Sequence, residues 1–524
     1  MKKYYLLFGI SLIFYLNANA QLEGTLNAQF STDGWDASVY GNNNGFYINK
    51  TLIQPDGKIL VCAEGYYSSE ATQAVVARYN TDGSFDATFG GGDGTVRSKD
   101  DTAIDLWTHA SGMGLQSTGK IIIAGDVFYN EERIFRLNAD GSLDASFGID
   151  GVINRPRPNA EYIYHVGIQS DNKIIVCGEE RRSVNGVLVK HIFLWRYTEN
   201  GILDTTFGNS GDVSYNNSDW LDGNEILLLI NDLIILPDDK IVINQSYTAA
   251  SSSFVMLKKL NANGTVDTSF GTNGEAIKAE VSNDGNFKYS SSSVQQNGSI
   301  ISSFSTRDAV NSNYSESLFR VNSQGIVDPL FNINIGNPTN FPIESQVKVS
   351  GDKVYFIKKS GANGYEFDEI HCYDLSGNLV TSFGENGFAL IDQNDIPKSY
   401  PNKAAISPDG NIYLVSNTND PNNANNTMFL AVNMTGFNPN LSIQENVAPN
   451  KTIIFPNPTT GIISISKLDN SGIEKVEIMD SVGKVVAVVT EDSTQIDLSA
   501  FSNGLYIVKI FTAESVTQQK IIKK

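Results

Sequence analysis

One eleven-residue pattern constrains this chain more than any other feature: Asn138-Ala-Asp-Gly-Ser-Leu-Asp-Ala-Ser-Phe-Gly148 returns at a near-constant interval. Copies stand at 80–90, 198–208, 261–271, 322–332 and 374–384, and a truncated copy at 26–30 precedes them. The Phe of the pattern falls at 30, 89, 147, 207, 270, 331 and 383, so the steps are 59, 58, 60, 63, 61 and 52 residues. A period of this size belongs to supersecondary units that are stacked or set around an axis.

A second marker lies between the first ones, as Gln54-Pro-Asp-Gly-Lys-Ile-Leu-Val61, Gln116-Ser-Thr-Gly-Lys-Ile-Ile-Ile123, Gln169-Ser-Asp-Asn-Lys-Ile-Ile-Val176 and Leu236-Pro-Asp-Asp-Lys-Ile-Val-Ile243. It continues more loosely at 296–301, 350–355 and 407–413. A polar turn followed by a β-branched run predicts a hairpin entering a strand with both faces buried. The Asp-Gly and Asn-Gly steps of the first marker predict a second hairpin. Two hairpins per unit make a four-stranded antiparallel sheet, and a series of such sheets around an axis is a β-propeller. The expected fold class is therefore all-β: a seven-bladed β-propeller over 21–436, a linker over 437–451, and a small Ig-like β-sandwich over 452–524. The return strand at 26–30 is expected to pair with the outgoing half-unit at 404–436, with Asn27 facing Ala431, so that no sheet edge is left open.

The repeats permit a comparison inside one chain. Eight residues before the second Asp of the pattern stands a basic residue: Arg78 with Asp86, Arg136 with Asp144, Arg196 with Asp204, Lys259 with Asp267, Arg320 with Asp328. In the sixth unit both change together, to Cys372 and Val380. A structural ion pair across the hairpin is expected, because stranding one buried charge costs more than losing both.

Two lysines, a short apolar run and the small-residue site Ala18-Asn19-Ala20 predict a signal peptide over 1–20. No other stretch is apolar enough to span a bilayer as a helix, so no transmembrane segment is expected. A formal charge of −20 argues against nucleic acid and against an anionic membrane surface. Cys62, Cys177 and Cys372 lack disulfide or metal spacing and are expected as small buried strand residues.

The two markers, D-G-x-x-D-x-x-F-G and D-G-K-I followed by two aliphatic residues, resemble the delta-60 repeat family of exported bacterial propeller-like proteins over roughly 22–436. That resemblance implies a fold and no activity, since the family has no catalytic motif to carry over. The tail contains Phe455-Pro456-Asn457-Pro458-Thr-Thr-Gly461, Ser481-Val-Gly483-Lys484, Asn503-Gly504-Leu-Tyr506 and a terminal Lys520-Ile-Ile-Lys-Lys524. These resemble the type A C-terminal sorting domain of the Bacteroidetes type IX secretion system. The resemblance implies the type IX secretion machinery as partner, passage through the periplasm and across the outer membrane, removal of the tail near the linker, and a secreted or cell-surface location.

Chemistry is harder to place. Asn80-x-Asp82-Gly83-x-x-Asp86 looks like part of a calcium loop, but the turn acid becomes Asn200, Asn263 and Gln324 in later units and no bidentate acid follows. His109, His165, His191 and His371 show no metal-ligand spacing and read as surface or strand residues. No cofactor, metal or catalytic residue is therefore assigned. The candidate binding residues are aromatics among acids in connections that break the repeat: Trp107, Tyr164 and the run Asp219-Trp220-Leu-Asp222-Gly-Asn-Glu225. Tyr66, Tyr67, Tyr129 and Tyr162 are expected in similar connections. The reading is a surface or secreted scaffold that binds a carbohydrate or protein ligand. Its alternative is a secreted polysaccharide hydrolase or lyase with its site on one propeller face.

Overall fold

The computed structural model describes residues 23–27, 30–31, 35–39, 45–66, 73–97, 109–127, 131–156, 161–184, 187–215, 227–248, 253–280, 291–307, 314–339, 345–360, 367–392, 403–420, 423–434, 452–455, 459–467, 473–480, 484–490, 494–512 and 516–524. The chain divides into two compact units, Met1–Phe437 and Asn438–Lys524. Both are built from strands, and no α-helix occurs among the described residues.

The first unit begins with β1 (Trp35–Val39), followed by a sheet of β2 (Gly45–Ile53), β3 (Ile59–Tyr66), β4 (Gln73–Tyr79) and β5 (Thr95–Arg97). The next two sheets are β6 (His109–Leu115), β7 (Ile121–Val127), β8 (Glu131–Leu137), β9 (Val152–Pro156), and β10 (Glu161–Ile168), β11 (Ile174–Val184), β12 (Val187–Tyr197), β13 (Asp212–Tyr215). Then come β14 (Leu227–Ile235), β15 (Ile241–Thr248), β16 (Ser253–Leu260), β17 (Glu275–Glu280), and β18 (Ser292–Val294), β19 (Ile300–Arg307), β20 (Tyr314–Val321), β21 (Val327–Thr339). The sixth is β22 (Gln346–Ser350), β23 (Lys353–Ser360), β24 (Phe367–Asp374), β25 (Phe388–Asp392). The last, β26 (Lys403–Ile406), β27 (Ile412–Asp420) and β28 (Asn423–Met434), takes β1 as its fourth strand, in the order β1-β28-β27-β26. Inner strands touch in sequence, β2 to β6, β10, β14, β18, β22 and β26, and β26 packs back on β2.

The aliphatic runs after the second marker are explained by this arrangement, because each second strand is covered on both faces. Ile59, Val61 and Ala63 pack with Tyr413 and Val415 of the last sheet, whereas Leu60 and Cys62 pack with Ile121, Ile123 and Phe135 of the next. The turn before the run needs a left-handed residue. Gly57 and Gly119 supply it, and Asn172 and Asp239 take the same conformation at φ 63 and 62. Short polar side chains tolerate that region, so Asp-Asn-Lys and Asp-Asp-Lys can replace Asp-Gly-Lys.

The closing sheet differs in register from the sequence expectation. Leu26 bridges Met434, as Leu143 bridges Leu137, and Asn27 N–H donates to Asn433 O at 2.9 Å. Asn27 therefore faces Asn433, whereas Ala431 pairs with Asp36 of β1. The slip of two residues keeps the strand face, and it arises because β1 carries no marker by which the edge strand could be read.

The second unit comprises β29 (Thr452–Phe455), β30 (Ile462–Lys467), β31 (Ile473–Met479), β32 (Val485–Val489), β33 (Gln495–Asp497), β34 (Gly504–Thr512) and β35 (Val516–Lys523). They form a three-stranded sheet, β29-β30-β33, and a four-stranded one, β32-β31-β34-β35. Ile463, Ile496, Val476, Val508 and Ile521 from the two sheets share one core.

Candidate functional site

The repeated charges are brought together first. Arg136 Nε lies 2.7 Å from Asp144 Oδ2, and the matching contacts are 2.7 Å for Arg78–Asp86, 2.9 Å for Arg196–Asp204, 3.7 Å from the Lys259 ammonium to Asp267 and 3.1 Å for Arg320–Asp328. The same acids take a second cation from the other marker: Lys58 reaches Asp86 at 2.8 Å, Lys120 reaches Asp144 at 2.6 Å and Lys240 reaches Asp267 at 2.9 Å. Meanwhile Asp144 Oδ1 accepts from the Ser146 N–H and hydroxyl, at 3.1 and 2.6 Å. Burial would raise these carboxyls, but the Lys, Ser/Thr and Arg donors outweigh it: Asp86 and Asp144 sit well below the usual range and Asp267 at about 2.

Each basic side chain also crosses to the next repeat. Arg136 donates to Glu199 O at 2.6 Å, Arg196 to Ala262 O at 2.6 Å and Lys259 to Ser323 O at 3.4 Å, while Arg78 and Arg320 donate to Ala139 O and Leu375 O. The guanidinium meanwhile covers the marker Phe, at 4.8 Å for Arg136 over Phe147. These residues therefore hold sheet to sheet as well as strand to strand. The turn acid acts only locally, since Asp140 Oδ1 accepts from the Ser142 N–H and hydroxyl at 2.9 and 2.7 Å. A neutral amide does the same at Asn263 with Thr265, which is why this position drifts to Asn while the second Asp keeps its charge.

The non-repeating polar groups collect elsewhere. The inner strands line a cavity of about 230 Å3 bordered by Lys50, Tyr164, His165, Asp232, Lys348 and Lys403, with Asn49, Asn231, Ser345 and Gln346 between them. Four of these strands reach it through a β-bulge, between Ile48 and Lys50, Ala110 and Gly112, Ile163 and His165, and Ile230 and Asp232. The extra residue, Asn49, Ser111, Tyr164 or Asn231, is turned out of the ladder, as bulges do beside functional sites. Asn49 then donates to Glu64 at 3.0 Å and Asn231 to Ser246 at 2.6 Å.

Electrostatics here run opposite to the surface. Asp232 is the one acid among the described lining residues, and its oxygens accept from Leu233 N–H at 3.0 Å and Ser292 N–H at 3.3 Å. Burial, helped by the Lys50 charge, pushes the Lys348 ammonium down to about 8. Burial likewise lowers His165 to about 4, against the pull of Asp232. Tyr164 is pushed up by burial and by Glu179.

Of the residues proposed for binding, Tyr164 reaches this cavity. It sits in β10 with Tyr162, and Tyr66 ends β3, so these tyrosines belong to strands and not to connections. Trp107, Asp219, Trp220, Asp222 and Glu225 lie outside the described residues, as do Tyr67, Tyr129 and the 1–20 segment. His165, Lys50, Lys348 and Lys403 escaped the sequence reading, because no spacing rule links single residues on different inner strands. Cys62, Cys177 and Cys372 are buried. In the tail, Pro456, Asn457, Pro458 and Gly483 lie outside the described residues. A Cβ on Gly461 would collide with the Ser499 hydroxyl, Gly504 opens β34, and the Tyr506 hydroxyl donates to Ser502 O at 2.8 Å.

Residues 453–524 match the secretion system C-terminal sorting domain, and 54–89, 116–147, 169–207 and 236–270 match a beta-propeller domain of unknown function, DUF5122, the family that includes delta-60 repeats. The sorting domain marks the chain for export to the cell surface or for secretion, with handling by type IX machinery. No described helix is long and apolar enough to cross a membrane. No curated protein matches the sequence. Similar solved structures include polysaccharide lyase Uly1, at 11% identity over 76% of this chain and 91% of that one, TM-score 0.48. Others are PorZ, a surface component of the type-IX secretion system of Porphyromonas gingivalis (13%, 92% and 75%, TM-score 0.31), and the GH93 alpha-L-arabinofuranosidase of Fusarium graminearum (10%, 68% and 98%, TM-score 0.39). At these scores the likeness extends to no site and no activity.

Proposed function

We propose that this chain, which carries DUF5122 propeller repeats and a type IX sorting tail, is a non-catalytic binding module shown at the cell surface or released from it. In this reading 1–20 is a signal peptide, 21–436 is a seven-bladed ring, and the Ig-like tail at 452–524 is cut away near the 437–451 linker during export. The ligand, a carbohydrate or a protein, is held at the axial cavity.

One observation carries the reading. The repeated charges are engaged in clamps between repeats, and a separate set of non-repeating polar groups converges on one cavity where cations outnumber acids. Glycoside hydrolysis needs two carboxyl groups flanking the bond, and Asp232 stands there with three lysines. The test is to incubate the full chain with plant, algal and bacterial polysaccharides while following both retention and soluble oligosaccharides by mass spectrometry. Retention without release is expected. Release from one polymer, abolished when residues 219–225 are replaced, would place the protein with the hydrolases and lyases instead.

A further inference from the structure

We infer that the axial cavity is an anion site, which takes a ligand presenting one compact oxyanion (a carboxylate, sulfate or phosphate group) among Lys50, Lys348 and Lys403. This rests on the binding reading and names the chemistry of its ligand.

Three ammonium groups on β2, β22 and β26 converge on one small space in a chain whose formal charge is −20. Like charges so placed repel one another, and among the described residues no carboxylate forms an ion pair with Lys50 or Lys348. Asp232 offsets only part of this, one carboxylate against three ammonium groups, with its oxygens held by the Leu233 and Ser292 N–H groups. An anion between the lysines removes the repulsion, and the enclosed walls strengthen its attraction. Asn49, Asn231 and Gln346 border the same space, and amides of this kind suit the hydroxyls of a sugar acid. The volume, about 230 Å3, lies below the usual range for drug-sized ligands, so one sugar residue or one small acid fits and a chain must enter end-on.

The groups that face Lys348 are Lys50 on β2, Tyr164 and His165 on β10, Asp232 on β14 and Lys403 on β26, with Glu316 behind Ser345. His165 is neutral above about 4, and Lys348, pushed down to about 8 by burial, loses its charge as pH rises through that value. Anion affinity is therefore full below that value and falls as pH rises through it.

Isothermal titration of the full chain with inorganic phosphate, sulfate, glucuronate and, as the uncharged control, glucose tests the site. One or more of the anions should bind at one per chain, glucose should not, and affinity should drop several-fold between about pH 7 and 9. K348Q and K50Q should each weaken binding about tenfold, the loss of one close charge. D232N should tighten it, which guards against a variant that merely fails to fold. Binding by none of the anions, or binding unmoved by all three substitutions, overturns the anion site. If a neutral polysaccharide is retained in the preceding experiment while every anion fails here, the binding reading survives and this inference alone falls.

Discussion

At the scale of single residues, Asp144 shows why the pattern keeps its second acid. One oxygen caps its own turn through Ser146, and the other holds Lys120 and Arg136, so replacement leaves two cations facing an apolar Phe. Asp144→Ala and Arg136→Ala should each cost about 3 kcal/mol in urea unfolding, and the double variant much less than their sum. Additive losses would remove the coupling. In the sixth unit Cys372 and Val380 replace both charges, and the backbone bond, Val380 N–H to Cys372 O at 2.8 Å, persists. Lys259 tests the same logic from the other side, since its contacts with Asp267 and Ser323 are 3.7 and 3.4 Å where Arg196 makes 2.9 and 2.6 Å. Lys259→Arg should raise stability by about 0.5–1 kcal/mol, read as a higher urea midpoint. The acids have folded values below their unfolded ones, so their contribution is complete above the ordinary carboxylate range. It is lost as pH falls through the folded values, and the melting temperature should drop from about pH 4 toward 2, less steeply in Asp144→Asn. Spacing within one hairpin makes the Arg136–Asp144 contact legible. The Glu199 carbonyl is not, because its approach depends on how two units pack.

At the scale of elements, the two turns of a repeat look alike in sequence and differ in what surrounds them. Gly141 and Gly119 have φ of 88 and 80, so either substitution by Ala incurs the left-handed cost. A Cβ on Gly119 would meet only Ala139 at 3.7 Å, whereas one on Gly141 would lie 2.9 Å from Gly90 N and from the Phe89 ring of the preceding sheet. Gly119→Ala should cost about 1 kcal/mol and Gly141→Ala about 3 kcal/mol in the same urea titration. Equal costs would mean that the turn does not set the distance between sheets. Strands, turns and their pairing into hairpins were legible because alternation, Asp-Gly steps and aliphatic runs are local signals. The bulges that turn Asn49, Tyr164 and Asn231 toward the cavity were not. A bulge is one extra residue in a strand whose side chains give no cue, so the element that builds the site is invisible to periodicity.

At the scale of the whole molecule the question is whether the ends are joined as firmly as the middle. Each marker Phe seats against the turn glycine of the following unit, Phe89 on Gly141, Phe147 on Gly201 and Phe207 on Gly264. Both seams of the closing sheet repeat the contact, with Phe383 against Gly24 and Phe30 against Gly83. The backbone bonds repeat as well: Gly90 N–H to Asp140 O at 3.0 Å, Gly384 N–H to Glu23 O at 2.9 Å and Ser31 N–H to Asp82 O at 2.7 Å. In an open array the stability is a sum over neighbours, and a terminal unit frays without disturbing the rest. A ring has no terminal unit, and weakening any seam opens the same closed contour. Phe30 and Phe147 are both fully buried, so Phe30→Ala and Phe147→Ala should each cost about 3–5 kcal/mol and shift one common transition. If Phe30→Ala instead splits off a small early transition and leaves the main one where it was, the first and last strands are an appended edge and not a seam. The copy at 26–30 is thus more than a remnant of the pattern: it is the place where the cost of opening the ring can be measured against the cost of damaging any other unit.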